Sequence, residues 1–116
     1  MSSKTRSLRA VARSRAHAPV FAALGDETRL SLVVKLSGGQ PCSIAQLTEG
    51  SSLTRQAITK HLHVLQTVGI VHAVRAGRES LFEFNPQALE ETRQYLELVS
   101  RQWDNALARL KSFVEE

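Results

Sequence analysis

The chain has very little cysteine and no long run of apolar residues. Its 116 residues include one cysteine, Cys42, which excludes a disulfide framework within the chain and is compatible with a reducing compartment. No apolar stretch approaches the roughly 18 residues that a transmembrane helix requires. The basic N-terminus lacks the apolar segment of a signal peptide. These absences predict a cytoplasmic protein with no membrane partner.

Acidic residues are absent from positions 1–18, where five basic side chains give a net charge of +5. Positions 19–84 carry about +1 and positions 85–116 about −2. The asymmetry favours an anionic partner, although charge alone fits DNA, RNA or a membrane surface. We expect residues 1–18 to form a flexible basic arm. The arm is either a disordered tail, a source of phosphate contacts or a cover for a dimer interface.

Residue patterns that are typical of catalysis are also absent. The chain has no Ser/His/Asp or Cys/His arrangement at a plausible spacing, and no glycine-rich phosphate loop. It also lacks paired carboxylates in an apolar setting. The sequence therefore predicts neither an enzyme nor a bound cofactor or metal.

The central segment has the pattern of a helix-turn-helix. Ser43 and Gln46 form an S-x-x-Q capping box, which starts a short helix. Residues 49–52 form a turn, and Thr54 caps a second helix over residues 54–67. This arrangement predicts a DNA-binding unit whose second helix enters the major groove.

The second helix has one apolar and one basic-polar side. At about 100° per residue, three apolar residues lie together: Ile58, Leu62 and Leu65. The hydrogen-bonding side chains lie within an arc of roughly 140° on the other side: Arg55, Gln56, Thr59, Lys60 and His63. A helix that only fills a core has no reason to align these groups. The pattern therefore favours DNA contact over a merely solvated face.

Each polar side chain of this helix has a predicted role. Gln56 and Arg55 are the expected base readers, because Gln pairs with adenine and Arg with guanine through two hydrogen bonds. Three others are expected phosphate contacts, which position the protein without reading sequence: Thr54, Thr59 and Lys60. His63 fits either role. His61, at the border of the apolar side, is expected to pack or bind phosphate, and a His61–His63 metal pair is disfavoured because residues two apart diverge.

The flanking segments complete a small domain over residues 19–116. Pro19 is expected to open a short helix, and Asp26 to cap another from Glu27 to about Ser37. The second of these helices is expected to bury four side chains: Leu30, Val33, Val34 and Leu36.

A hairpin follows the recognition helix directly, which is typical of a wing. Residues 71–75 and 80–84 read as two strands around Ala76-Gly77-Arg78, so the wing spans residues 71–84. Arg75 and Arg78 near its tip are either ordinary solubility charges or contacts to phosphate or the minor groove. The second interpretation is favoured, since Arg suits the negative potential of a narrow groove.

The C-terminal segment predicts one long helix over residues 86–115, opened by Asn85-Pro86 and free of Gly and Pro after that. Leu89 begins an apolar stripe whose members are three, four or seven residues apart. The stripe is too long to be covered by one small core. We expect a second copy of the chain to cover most of it: Leu96, Val99, Trp103, Leu107, Leu110 and Val114. Trp103 is expected to anchor the dimer or the core rather than line an effector cavity.

Two motifs carry a resemblance to a known family. Leu24-Gly25-Asp26-Glu27-Thr28-Arg29 resembles the opening Leu-Ala/Gly-Asp-Pro-Thr-Arg signature of the ArsR/SmtB regulators, with Glu27 in place of Pro. Arg55-Gln56-Ala57-Ile58-Thr59-Lys60-His61-Leu62 resembles their recognition-helix signature, Arg-Pro-Ala-Ile/Val-Ser-Lys-His-Leu. The resemblance implies a mainly helical winged helix-turn-helix fold with a small hairpin wing. It also implies a homodimeric, usually autoregulatory repressor that binds double-stranded DNA, although the residues themselves fit a repressor and an activator equally. Two-fold symmetry of such a dimer predicts an inverted-repeat operator.

The chain departs from the metal-sensing members of that family. Their Cys-x-Cys positions are occupied here by Ser43 and Ala45, and Cys42 is one residue out of register. Their other metal site uses the C-terminal helix, and no histidine follows His72. The resemblance is therefore to the metal-independent subgroup, with an unknown effector. Cys42 is expected to be a small half-buried residue, with a redox switch as the alternative.

One further function class stays open. A winged helix can bind a partner protein while its long helix assembles the complex. An acidic recognition face poor in donors would favour that interpretation, whereas the face described above is basic.

Overall fold

The computed structural model describes residues 3–115 and, within them, all side chains except those of residues 3, 4, 6 and 7. The described residues form a mainly helical fold with a small sheet, as predicted. Its elements in chain order are α1 (Ser3–Leu24), α2 (Glu27–Leu36), β1 (Cys42–Ser43), α3 (Ile44–Thr48), α4 (Arg55–Thr67), β2 (Val71–Ala76), β3 (Glu79–Phe84) and α5 (Pro86–Glu115). No described helix combines the length and the apolar character that crossing a membrane requires.

The first helix differs from the expected flexible arm and separate short helix. Residues 3–24 form one continuous helix, and Pro19 lies inside it. Pro19 lacks the N–H that would bond four residues back, which costs a helix interior about 3 kcal/mol or more. Packing around the proline offsets this cost, because Ala23 is buried and the His17 ring stacks on Tyr95 of α5. Local sequence preferences predict that a helix begins at Pro19, because they contain no information about this packing.

The second helix starts as predicted but buries a different side. Leu32 and Leu36 are buried, whereas Leu30 is 50% and Val34 64% exposed. The prediction that Leu30 and Val34 belong to the core was therefore wrong. At 100° per residue these two side chains lie opposite Leu32 and Leu36. Because α2 has apolar residues on both sides, its sequence does not show which side is buried. Contacts with the rest of the fold decide this.

The helix-turn-helix has the predicted caps. The Ser43 hydroxyl accepts a hydrogen bond from the Gln46 N–H at 3.1 Å, and the Gln46 side chain accepts one from the Ser43 N–H at 2.8 Å. Gly50 adopts a φ of 76° in the turn, a conformation that glycine reaches without strain. Thr54 caps α4, as predicted. These contacts fix where both helices begin.

The sheet has three strands in the order β1-β3-β2, all antiparallel. The residue pattern predicts β2 and β3 but not the two-residue β1, which pairs Cys42 with Phe82. Ala76 pairs with Glu79, so the strands extend one residue further toward the tip than predicted. Gly77 has a φ of 64° in the two-residue turn between them, which fits a type II′ hairpin.

One hydrophobic core joins the helices to the sheet. Its buried side chains come from both layers: Ala23, Leu32, Leu36, Leu47, Ile58, Leu62, Leu65, Ile70, Val71 and Phe82. The three apolar residues predicted for the inner side of α4 are all among them. Because α4 is anchored along that side, its opposite side is held outward in a fixed orientation.

Candidate nucleic-acid interface

The outer side of α4 carries the polar residues that the sequence singled out. Four of them are exposed: Arg55, Gln56, Lys60 and His63. Thr59 is half-buried beside them. The helix contains no acidic residue, so nothing on it neutralises Arg55 and Lys60. The structure thus brings the predicted recognition residues together on one basic surface.

The two threonine hydroxyls of this surface already have partners within the helix. The Thr54 oxygen accepts from the Ala57 N–H at 3.1 Å, which leaves its own proton free to donate. Thr59 donates its proton to the Arg55 carbonyl at 2.7 Å. A phosphate oxygen only accepts hydrogen bonds, so Thr54 can bind phosphate in this geometry, whereas Thr59 must first rotate its hydroxyl.

The hairpin of β2 and β3 presents Arg75 and Arg78 near its tip, and both side chains are exposed. Arg75 pairs in register with Ser80, and Arg78 lies in the two-residue turn. Nearer the core, His72 Nε2 lies 2.7 Å from Glu83 Oε1 on the directly opposite residue of the other strand. This cross-strand contact holds the base of the hairpin together.

A cluster centred on Arg29 lies behind the recognition helix. Its Nε donates to the Ala23 carbonyl at 2.6 Å, and its Nη2 donates to the Ala22 carbonyl at 3.4 Å. Its Nη1 lies 3.2 Å from His61 Nδ1 on α4. A guanidinium has donors only, so His61 Nδ1 is the acceptor in this contact. Arg29 therefore joins the end of α1, the start of α2 and the recognition helix.

Asp26 completes this cluster. Its Oδ1 accepts from the Arg29 N–H at 3.0 Å and lies 3.8 Å from His61 Nδ1. The backbone hydrogen bond from Arg29 holds the pKa of the Asp26 carboxyl below its ordinary value of 3.8, and the positive charge of Arg29 acts in the same direction. The sequence predicts Asp26 as a helix cap but does not predict the cluster. The Asp-x-x-Arg spacing in residues 24–29 and the border position of His61 were the available signals.

A second surface lies along α1 and α5. Trp103 is 65% exposed, and four more of the predicted dimer residues are exposed as well: Leu96, Leu107, Leu110 and Val114. Val99 is half-buried. The structure adds three exposed residues that the sequence did not single out, Leu8 and Val11 on α1 and Phe113 on α5. We call these nine residues the α1–α5 apolar face.

Comparison with known proteins places the chain in a family. It is 30% identical over 93 residues to the HTH-type transcriptional regulator Rv2034 of Mycobacterium tuberculosis, which covers 80% of this chain and 83% of that protein. An ArsR-like transcriptional regulator from Rhodococcus has a similar structure, with 37% identity, a TM-score of 0.73 and coverage of 88% of this chain and 95% of that one. The chain belongs to the ArsR-type winged helix-turn-helix regulators.

This ArsR-type chain is a DNA-binding transcriptional regulator and not an enzyme. No family model matches it. Its fold is also similar to that of the homodimeric winged helix-turn-helix DNA-binding domain Mb0332 from Mycobacterium bovis. That comparison has a TM-score of 0.59 and 19% identity, with coverage of 92% of this chain and 91% of that one. The low identity makes this likeness one of fold alone.

The positions where some ArsR-type regulators bind metal have a different chemistry in this chain. Within residues 3–115, no three His, Cys, Asp or Glu side chains lie close enough together to hold a metal ion. Cys42 is half-buried on β1, with its Sγ 3.4 Å from the Gln40 carbonyl oxygen. Ser43, at one of the expected ligand positions, has its side chain in the capping box of α3.

Proposed function

We propose that this regulator is a homodimeric repressor that binds an inverted-repeat operator. The observation that carries the proposal is the outer side of α4, where Arg55, Gln56, Lys60 and His63 are exposed while the inner side is fixed in the core. A basic helix held at a fixed angle is the element that helix-turn-helix proteins insert into the major groove.

The residues divide into two roles. Gln56 and Arg55 read base edges, and His63 contacts either a base or a phosphate. Three phosphate contacts fix the register on α4: Thr54, Thr59 and Lys60. Thr54 already has a free hydroxyl proton, and Thr59 joins after its hydroxyl rotates. Arg75 and Arg78 on the hairpin contact phosphate or the minor groove beside the recognition helix.

A second copy of the chain covers the α1–α5 apolar face. Every described residue of α5 from Ser100 onward is exposed, so this half of the helix buries little of its surface against its own chain. Soluble proteins rarely leave such a long apolar surface uncovered. The Mycobacterium bovis domain with the same fold is homodimeric, which supports this arrangement. Two-fold symmetry then predicts an inverted repeat with half-sites about one or two helical turns apart.

Repression follows from the occupied operator, because a bound dimer excludes the polymerase from overlapping DNA. The autoregulatory role implies that the operator lies near the gene of the regulator itself. An effector that weakens the DNA complex relieves repression, and none of the residues proposed here for DNA contact requires a metal.

The test is selection of a randomised duplex pool by the purified protein at two salt concentrations, followed by sequencing. We expect an inverted repeat. The double variant R55Q/K60Q should lose it, while R109Q/K111Q, which removes the same two charges from exposed positions of α5, should recover it. Retention without a motif, or no retention, would contradict the proposal and favour non-specific binding or a protein-interaction module instead.

A further inference from the structure

We propose that the cleft between α1 and α5 binds a small aromatic carboxylate, which is the effector of the proposed regulator. The cleft has a volume of about 480 Å³. This lies within the range of small-molecule sites, roughly 300–1,000 Å³. Its lining combines two aromatic rings, one leucine and two arginines with one amide and two carboxyl side chains: His17, Tyr95, Leu98, Arg13, Arg101, Gln94, Glu91 and Glu97.

An aromatic platform bridges the two helices at this cleft. The His17 and Tyr95 rings are stacked, with centroids 4.4 Å apart and an angle of 15° between their planes. Phe21 supports the Tyr95 ring from α1, with centroids 6.0 Å apart. Tyr95 also lines an adjoining cavity of about 290 Å³ with Leu98 and Val99. The apolar part of a planar ligand can therefore contact aromatic rings and aliphatic carbons that are already held in place by other contacts.

The charges at the cleft favour an anion. Within the described part of the chain, neither Arg13 nor Arg101 has an ion-pair partner. Of the two acidic residues in the lining, Glu97 is already paired with Arg93, which leaves Glu91 against the two guanidiniums. A guanidinium binds a carboxylate through two parallel hydrogen bonds. The combination of rings and unpaired arginines thus fits an aromatic carboxylate better than a neutral or cationic molecule.

The cleft stays open when the proposed dimer forms. Its residues on α5, which include Gln94, Leu98 and Arg101, lie roughly 160° around the helix axis from the stripe of Leu96 and Trp103. The two surfaces therefore lie on opposite flanks of α1. A ligand can reach the cleft without first separating the subunits.

The position of the cleft couples it to DNA binding. Besides α5, helix α1 packs against α2 and α4, and Arg29 holds its last turn next to His61 of the recognition helix. A carboxylate bound by Arg13 and Arg101 draws α1 and α5 together, which changes the placement of α4 relative to the dimer helix. Because this regulatory step rests on the proposed function, ligand binding and DNA binding need separate measurements.

The test is calorimetric titration of the full-length protein without DNA, using benzoate, salicylate and 2-naphthoate, with 2-naphthamide as the neutral control. We expect 2-naphthoate to bind the unmodified protein at least about tenfold more tightly than the amide. We expect R13Q/R101Q to lose at least about tenfold in affinity. The variant R109Q/K111Q, which removes two charges outside the cleft, should bind like the unmodified protein.

Absence of carboxylate binding, or equal affinities in the two double variants, would overturn the proposal. Operator selection with the same protein preparations keeps the two failures apart. If the unmodified protein selects an operator but binds no carboxylate, only the proposal for the cleft is rejected. If the unmodified protein selects no operator, the proposed function is rejected. A bound carboxylate should also shift operator affinity, and by linkage the operator should shift carboxylate affinity by the same factor.

Discussion

Arg29 Nη1 on α2 donates a hydrogen bond to His61 Nδ1 on the recognition helix across 3.2 Å. The same guanidinium holds the carbonyl oxygens of Ala22 and Ala23 at the end of α1. One side chain therefore fixes three helices relative to one another. His61 faces this contact and keeps only 24% of its side chain exposed, which favours the packing role over the phosphate contact.

Replacing Arg29 should test this arrangement without altering any proposed DNA contact. We expect Arg29→Lys to reduce the free energy of unfolding by about 1–3 kcal/mol, because the donors of an ammonium radiate from one nitrogen and cannot reach the partners that the guanidinium contacts through three. Operator affinity should fall while base preference stays the same. Denaturant unfolding and binding titrations measure both. Arg109→Lys at an exposed position should change stability by less than about 0.5 kcal/mol, and an equal loss in the two variants would argue against the cluster.

Gln56→Ala addresses base reading. If Gln56 reads adenine through two hydrogen bonds, its replacement should cost about 1–3 kcal/mol of discrimination and relax preference at one position of each half-site. Repeating the pool selection with the variant measures this preference. An unchanged motif would remove Gln56 from the reading residues. Gln66→Ala, an exposed change on the same helix, is the matched control.

Arg78→Ala addresses the wing. If Arg78 neutralises one phosphate, its removal should weaken binding on every sequence and reduce the slope of log K against log salt by about one. Affinity measured at several salt concentrations gives this slope. Arg109→Ala serves as the control, since it removes a positive charge far along α5. A slope that stays at the value of the unmodified protein would show that the wing tip does not touch phosphate.

The dimer is tested by placing charge on the α1–α5 apolar face. The double variant L107E/L110E should be monomeric in analytical ultracentrifugation, because carboxylates buried without partners are costly. The matched control is L30E/V34E, which places the same charges on the exposed apolar side of α2. A dimeric L107E/L110E variant would locate the interface elsewhere.

The lowered pKa of Asp26 predicts that the free energy of unfolding decreases at acidic pH. Its carboxyl pKa is lowered in the folded state, so it contributes stability that is fully present above its ordinary pKa of 3.8. This contribution is lost as the pH falls through the lower, folded value. Asp26→Asn keeps a capping side chain but removes the charge. Its unfolding free energy should therefore change less between pH 5 and pH 2 than that of the unmodified protein, and identical pH profiles would contradict this assignment.

The features that the sequence predicted correctly depend on interactions between residues close together in the chain. The capping box of Ser43 and Gln46 and the cap of Thr54 depend on residues three positions apart. The inner side of α4 follows from helical periodicity, and all of its predicted core residues are buried. The hairpin and the long C-terminal helix follow in the same way from short-range turn and capping signals. Each of these features requires only neighbours within about one helical turn.

The remaining features depend on contacts between residues distant in sequence. Leu30 and Leu36 lie on different sides of α2, so the apolar residues alone do not show which side faces the core; in the structure Leu36 is buried and Leu30 is 50% exposed. Sequence alone marked the first 18 residues as a basic arm, and only packing against Tyr95 and the core makes α1 continuous through Pro19.

The amino-acid sequence by itself thus determined the helix-turn-helix, the hairpin, the long C-terminal helix and the basic side of the recognition helix, because side-chain spacing and capping are local properties. Tertiary structure decided that Arg29 supports His61 and that α1 and α5 share an apolar face and a cleft. These relationships join residues more than thirty positions apart. Their geometry is fixed only when the core closes and sets the distance and angle between helices.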